Sequence, residues 1–181
     1  MSAAEIEPVI AHARTDRALA DRVGEALAAS FRGPFYVTPD GLQAPLIKSL
    51  GSIVNLANVV REDIAVGLAA GACLAGGQPV VLMQNSGFGQ SINALASLVL
   101  PYRLPMLLVI GMRGTGEDRT TENLVMGRVT GDILQLLGIP ARTLPRDQPD
   151  DVVYSAVENF RNGRSSAILI DPGLFGWKAA T

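Results

Sequence analysis

The stretch VVREDIAVGLAAGACLAGGQPVVLMQNSGFGQSINALASL, residues 59–98, contains two turns, each of which follows a predicted strand and precedes a predicted helix. Glu62 lies in the first turn. The second turn is the glycine-rich segment, residues 84–89, Gln-Asn-Ser-Gly-Phe-Gly. In a parallel sheet the carboxyl ends of the strands meet at one edge, where ligands bind. We therefore expect both turns to lie at a ligand-binding edge.

Glu62 begins a run of small apolar residues at helical spacing, which predicts a helix from this point. A carboxylate in a first helical turn is stabilised by the helix dipole and by free backbone N–H groups, which is an ordinary structural role. The helix behind it is almost entirely Ala, Gly, Val, Leu and Cys. A carboxyl held against such a surface can keep its proton and donate a hydrogen bond to a ring nitrogen, which is a catalytic role. Both interpretations are open.

The segment 79–83, Pro-Val-Val-Leu-Met, is a short apolar run typical of a strand buried on both faces. We expect the glycine-rich segment after it to be a loop in which Gly87 and Gly89 permit positive φ or the close approach of another group. Asn85 and Ser86 could instead cap the next helix. The segment lacks a Walker A lysine and the G-x-G-x-x-G spacing, so its sequence is a weak indication of phosphate binding.

Strands and helices are predicted to alternate along the rest of the chain. Strands are expected at 35–38, 52–60, 79–83, 105–111, 141–144 and 165–170. Helices are expected at 16–31, 42–50, 90–100, 123–137 and 149–161, in addition to the small-residue helix that follows the turn at Glu62. This alternation predicts an α/β fold, a three-layer doubly wound parallel sheet of about six strands with helices on both faces. We expect residues 1–181 to form a single domain.

Composition excludes several classes of function. A net charge of -2 argues against nucleic acid or an anionic membrane as the main partner. The single cysteine, Cys73, excludes an intrachain disulfide, and with one histidine, His12, it excludes a Cys/His zinc site within the chain. We expect Cys73 to be a buried small apolar residue and His12 to lie on a solvated face. The charged amino-terminal residues do not resemble a signal peptide, and no apolar run is long enough to cross a bilayer, so we expect a cytoplasmic protein.

Two other polar turns follow predicted strands. Pro39-Asp40-Gly41 is ordinary turn chemistry when taken by itself. Arg113 follows a central strand, and its planar guanidinium can donate paired hydrogen bonds to a sulfonate, phosphonate or carboxylate. The alternative is that Arg113 is a solvated charge or pairs with Glu117 or Asp118.

Together these residues resemble the pyrimidine-binding domain of thiamine-diphosphate enzymes. The resemblance is greatest to the alpha subunit of sulfopyruvate decarboxylase and to the matching half of phosphonopyruvate decarboxylase. The segments that carry it are Arg61-Glu62, the run MQNSGFG at 83–89, and residues 93–95, 100–102, 105–108, 113–114, 126–128 and 137–140.

The resemblance implies a lyase in which thiamine diphosphate is the cofactor and Glu62, as the catalytic residue, hydrogen-bonds to its aminopyrimidine ring. A 2-oxo acid, sulfopyruvate or phosphonopyruvate, would lose CO₂ and give an aldehyde. The implied cofactor-binding residues are Glu62, Gln84, Asn85, Gly87 and Phe88. The implied substrate-binding residues are Asp40, Asn85, Ser86 and Arg113.

A complete site of this family also needs Mg²⁺ and a diphosphate anchor, which is a Gly-Asp-Gly followed after a gap by Asn. The chain contains only Gly131-Asp132 followed by Ile133, within a predicted helix, so we expect no metal ligands here. The resemblance therefore implies a separate beta subunit that binds Mg²⁺ and the diphosphate, in a hetero-oligomer where the alpha chain is inert alone. The alternatives are a carboligase of the acetolactate synthase type and a non-catalytic α/β subunit that binds a partner.

Overall fold

The computed structural model describes residues 3–178, with side chains from residue 16 onward. Six helices carry labels: α1 Ala3–Ser30, α2 Ala44–Gly51, α3 Glu62–Leu74, α4 Asn85–Ala94, α5 Leu124–Leu136 and α6 Pro149–Arg161. The strands are β1 Phe35–Val37, β2 Leu56–Asn58, β3 Val80–Gln84, β4 Leu107–Gly111, β5 Ala141–Thr143 and β6 Ser166–Ile170. A π-helical turn, Leu95–Val99, continues α4, and a short 3-10 turn, Thr121–Asn123, leads into α5.

The strands form one sheet in the order β2-β1-β3-β4-β6-β5, and every pairing between neighbouring strands is parallel. Helices α1, α2 and α6 pack on one face of the sheet, and α3, α4 and α5 pack on the other. The predicted three-layer doubly wound fold is thus confirmed, and β5 lies at one edge of the sheet.

The alternation of side chains along the buried strands separates two apolar cores. Leu82 and Val109 point to the α1 side of the sheet, whereas Met83 and Ile110 point to the α3 side. Successive residues of a strand face opposite ways, so a strand covered by helices on both sides must be apolar at every position. This explains why β3 and β4 read as unbroken apolar runs.

The predicted loop at 84–89 is wrong. Gln84 is the last residue of β3, and α4 begins at Asn85, so both glycines of this segment are helical. Neither Gly87 nor Gly89 has a positive φ. No side-chain hydrogen bond caps the helix, so the alternative role for Asn85 and Ser86 as caps is also wrong.

Other boundaries differ from the prediction at the ends of elements. The strand expected at 52–60 is only Leu56–Asn58, because the backbone N–H groups of residues 52–54 still bond to carbonyls at the end of α2. Helix α1 begins before residue 16, at Ala3. His12 lies in its first half, where side chains are outside the described residues.

Cys73 is half-buried on α3, and its thiol donates a hydrogen bond to the Pro105 carbonyl at 2.7 Å. Burial raises the pKa of the Cys73 thiol to about 11, so the group is almost entirely protonated at neutral pH. Within residues 3–178, no helix combines the length and the apolar character needed to cross a membrane.

Candidate active site

The carboxyl ends of the strands bring the predicted site residues to one edge of the sheet. Asp40 follows β1, Asn85 follows β3, Arg113 follows β4, and Glu62 begins α3 after β2. Strand β1 has β2 on one side and β3 on the other, so the order of the chain reverses there. Ligands of doubly wound sheets bind outside the strand ends at such a reversal. The topology therefore favours the edge between β1 and β3 as the site.

The side chain of Glu62 lies directly against the backbone of Gly87. A Cβ atom added at Gly87 would overlap the Cγ, Cδ and Oε1 atoms of Glu62. The first turns of α3 and α4 therefore approach closely, and only a residue without a side chain fits between them. The glycine is needed for close packing and not for an unusual φ angle.

Glu62 is half-buried, and its carboxylate makes no hydrogen bond to another described residue. The neighbouring charges Arg61 and Asp63 pair with each other, at 2.9 Å between Nη2 and Oδ2. The Glu62 oxygens are thus held in place by packing yet open to a partner from outside the described chain. This arrangement suits a carboxyl group whose hydrogen-bond partner is a ligand.

Asp40 is buried at the start of the turn after β1. Its Oδ1 accepts a hydrogen bond from the Leu42 N–H at 3.2 Å, and its Oδ2 accepts one from Gln43 Nε2 at 3.4 Å. Burial raises the pKa of the Asp40 carboxyl, and the Leu42 N–H opposes this by favouring the ionised form. A Cβ atom at Gly111 would overlap Asp40 Oδ2, so the end of β4 must be glycine for this carboxyl to fit.

Gln43 is a site residue that the sequence analysis missed. It is fully buried, and its Nε2 donates to the Met83 carbonyl at 2.7 Å, which ties the β1 turn to the end of β3. Its Oε1 and the Oδ1 of buried Asn85 are acceptors without a donor among the described residues. Buried acceptors in folded proteins nearly always receive a hydrogen bond, so two acceptors without a donor distinguish this edge from the rest of the core. The sequence feature that could have indicated this role is the position of Gln43, a polar residue three positions after Asp40, at the start of the largely apolar helix predicted at 42–50.

Arg113 is paired with Asp118, which was one of the alternatives in the sequence analysis. Arg113 Nε donates to Asp118 Oδ2 at 2.6 Å, and the same buried carboxylate accepts N–H groups from Gly114 at 2.9 Å and Thr120 at 3.1 Å. Burial by itself would raise the pKa of Asp118, but these donors outweigh it and hold the pKa well below its usual range. Substrate binding by Arg113 stays a prediction.

The side chains of the glycine-rich segment differ in burial: Gln84 and Ser86 are half-buried, whereas Asn85 and Phe88 are buried. Gln84 Nε2 donates to the Ser86 hydroxyl at 2.7 Å, and both side chains are half-buried at the edge. Asn85 Nδ2 donates to the Arg113 carbonyl at 2.8 Å, which joins the ends of β3 and β4. Phe88 has no exposed surface and packs in the core on the α3 side, so its position does not favour the predicted cofactor contact.

A cleft of about 870 Å³ lies between α1, α2 and the carboxyl-terminal segment. Neither Glu62 nor any residue of the segment 84–89 lines it. Of these residues, Glu62, Gln84 and Ser86 are half-buried at the edge, whereas Asn85, Gly87 and Phe88 are buried. Among residues 16–178, whose side chains the structure describes, no three Asp, Glu, Cys or His side chains come together as a group that could hold a metal ion.

Comparison with known sequences identifies several relatives. The chain is 40% identical over 115 residues to the alpha subunit of sulfopyruvate decarboxylase from Methanothermobacter thermautotrophicus, covering 62% of this chain and 70% of that one. It is 41% identical over 130 residues to the same subunit from Methanocaldococcus jannaschii, covering 70% and 77%. Phosphonopyruvate decarboxylase from Streptomyces viridochromogenes is 39% identical over 95 residues, covering 52% of this chain but only 24% of that enzyme. No protein-family model matches the chain.

Solved structures share the fold. A thiamine diphosphate-dependent 4-hydroxybenzoylformate decarboxylase from Rhodococcus jostii superimposes with a TM-score of 0.68 and 13% identity, covering 90% of this chain and 32% of that one. A 2-oxoglutarate:ferredoxin oxidoreductase from Magnetococcus marinus gives a TM-score of 0.67 and 15% identity, covering 87% and 29%. The chain therefore has the architecture of about one third of these larger proteins.

Replacing Gly87 with alanine should displace the Glu62 side chain, because the new methyl group would occupy its space. We expect the chain to fold with a loss of about 1 kcal/mol in unfolding free energy from overpacking. A crystal structure should show the carboxyl moved away from α4. Gly131→Ala is the matched control: this helical glycine on α5 has open space, so alanine should be neutral or stabilising by up to about 1 kcal/mol. An unmoved Glu62 in Gly87→Ala would contradict the packing argument.

Asp118→Asn should destabilise the chain by about 3 kcal/mol at pH 7, because it leaves the Arg113 guanidinium without its buried partner. The native pKa of Asp118 lies below its unfolded value of about 3.9, so its contribution to stability is complete above that pH and declines as the pH falls further. Urea unfolding at pH 7, 5, 4 and 3 should show the difference between wild type and variant shrinking below about pH 4. A difference that stays constant over this range would argue against the depressed pKa.

Proposed function

Because the chain belongs to the family of sulfopyruvate decarboxylase alpha subunits, we propose that it is the alpha subunit of a thiamine-diphosphate-dependent decarboxylase. Its substrate is a 2-oxo acid with a second anionic group, sulfopyruvate or phosphonopyruvate, and its products are CO₂ and the corresponding aldehyde. Both substrates are proposed because the chain also has 39% sequence identity to a phosphonopyruvate decarboxylase.

The observation that carries the proposal is the position of Glu62. Its side chain is held against Gly87 at the sheet edge where the chain order reverses, and its oxygens have no partner among the described residues. A carboxyl fixed in this way can hydrogen-bond to one ring nitrogen in one orientation. An exposed, freely rotating carboxylate could not do this without losing conformational entropy on binding.

The residues around Glu62 fit the pyrimidine end of thiamine diphosphate. Glu62 would hold the aminopyrimidine ring, and Gln84, Asn85 and the backbone of Gly87 would line its edge. The unpaired Oδ1 of Asn85 is an acceptor that a donor from the ligand or the partner chain could satisfy after a small rearrangement. When bound, the cofactor would supply a nucleophilic carbon and would accept the electron pair that the breaking C–C bond leaves behind as CO₂ departs.

Four side chains would contact the substrate. Arg113 would bind its distal anion, since a guanidinium matches the oxygens of a sulfonate or phosphonate. Asp40, Asn85 and Ser86 lie around the same edge and would contact the reacting end. Burial raises the pKa of the Asp40 carboxyl above its usual value.

We further propose that a beta subunit binds Mg²⁺ and the diphosphate, and that residues 1–181 are one pyrimidine-binding domain of the resulting hetero-oligomer. An exposed apolar strip supports such a partner: on either side of Glu62, Val60 is 90% exposed, Ile64 45% and Leu68 46%. Apolar side chains exposed together often mark protein interfaces. A cytoplasmic location stays a prediction.

The proposal is tested by purifying the chain together with a partner that carries Gly-Asp-Gly followed by Asn, and by assaying both acids with thiamine diphosphate and Mg²⁺. We expect CO₂ and aldehyde from at least one acid, and none from the chain alone. Carboligation products from pyruvate alone would favour an acetolactate synthase type of activity. Absence of turnover in a complex with bound cofactor would favour a non-catalytic role.

Glu62→Gln should lose nearly all turnover in the reconstituted complex while the chain still folds and binds its partner. The amide keeps the shape of the side chain but cannot exchange a proton with the ring. Glu25→Gln, the same change at an exposed position on α1, is the matched control and should retain wild-type turnover. Unchanged kcat in Glu62→Gln would remove Glu62 from the catalytic role.

A further inference from the structure

The carboxyl-terminal segment reaches back to the site through Trp177. The Arg113 guanidinium carbon lies 4.8 Å from the centre of the Trp177 ring, which is the geometry of a cation–π contact. Trp177 is half-buried, and the Arg113 side chain is only 19% exposed. A contact of this kind gains strength as water is excluded from it.

Asp118 accepts a hydrogen bond from one edge of the same guanidinium. The hydrogen bond goes to Arg113 Nε, and neither terminal nitrogen, Nη1 or Nη2, bonds to another described residue. One face of the guanidinium is thus covered by an aromatic ring and one edge is anchored. The two terminal nitrogens remain as a pair of donors, which is the arrangement that binds two oxygens of one anion.

Asp118 is also well supplied with other donors. It accepts the backbone N–H groups of Gly114 and Thr120, the Thr120 hydroxyl, and Asn123 Nδ2 at 3.3 Å. A carboxylate satisfied in this way is a fixed anchor and does not need to turn toward the free edge of Arg113. The N–H groups of the two terminal nitrogens of Arg113 are therefore available to a ligand.

We propose that Trp177 is a positioning residue that clamps Arg113 against Asp118, so that the two terminal nitrogens are preset to bind the distal sulfonate or phosphonate of the substrate. The inference rests on the proposed function, because it assigns the anion to Arg113. The chain contains one tryptophan, so this contact also has its own optical signal.

The test compares Trp177→Leu and Trp177→Phe with wild type in the reconstituted complex. Losing the ring frees the guanidinium, so Trp177→Leu should raise KM for the anionic 2-oxo acid about tenfold with kcat within about twofold. Trp177→Phe keeps an aromatic face and should stay within about threefold of the wild-type KM. Pyruvate, which lacks a distal anion, should show the same KM with all three proteins. An unchanged KM in Trp177→Leu for the anionic acid would overturn the proposal.

A double-variant cycle separates positioning from general destabilisation. Because Trp177 acts through Arg113, adding Trp177→Leu to Arg113→Met should raise KM no further than Arg113→Met alone. Independent, additive effects would contradict the clamp. In the full chain, Arg113→Met should also leave the ring of Trp177 more accessible to acrylamide, which is measured by fluorescence quenching; unchanged quenching would mean that the contact does not exist in solution.

These outcomes are distinguishable from failure of the proposed function. If the wild-type complex with bound cofactor turns over neither acid, the function and the substrate role of Trp177 both fail. If wild type is active and Trp177→Leu keeps its KM, the function stands and only the clamp fails.

Discussion

The site depends on one close contact, between the carboxyl of Glu62 and the backbone of Gly87. Two helices that start at the same edge of the sheet approach so closely there that a single methyl group would not fit. The contact fixes the Glu62 side chain, which is half-buried beside an apolar helix and has no hydrogen-bond partner within the described chain. Most polar site residues are held in position by hydrogen bonds, but Glu62 is held by packing. Its carboxyl oxygens therefore remain free to bond to a ligand.

Buried polar side chains hold the rest of the edge together. Gln43 ties the β1 turn to β3, Asn85 ties β3 to the segment after β4, and Asp118 ties Arg113 to the loop that precedes α5. The regular hydrogen bonds of the sheet end where the strands end. Side chains must satisfy the backbone groups beyond that point, and in doing so they determine where the functional groups lie.

In the proposed hetero-oligomer, the beta subunit would supply the opposite wall of the site. Glu62, Gln84 and Ser86 are half-buried at the edge of the sheet, and none of them lines the cleft of about 870 Å³ between α1, α2 and the carboxyl-terminal segment. The apolar residues exposed near Glu62 are consistent with such an interface.

The sequence by itself determined the succession of strands and helices along the chain, the doubly wound class, the position of Glu62 in the first turn of α3 and the bounds of α6, because apolar spacing reports which faces are buried. It also placed Asp40, Asn85 and Arg113 at the ends of strands. Only the tertiary structure decided that the segment 84–89 ends a strand and begins a helix. Local preference reads its two glycines as a loop, but Gly87 is there to admit a side chain from another helix. The burial of Gln43 and the contact of Trp177 with Arg113 were likewise not predictable, since contacts between residues distant in sequence depend on where the folded strands meet.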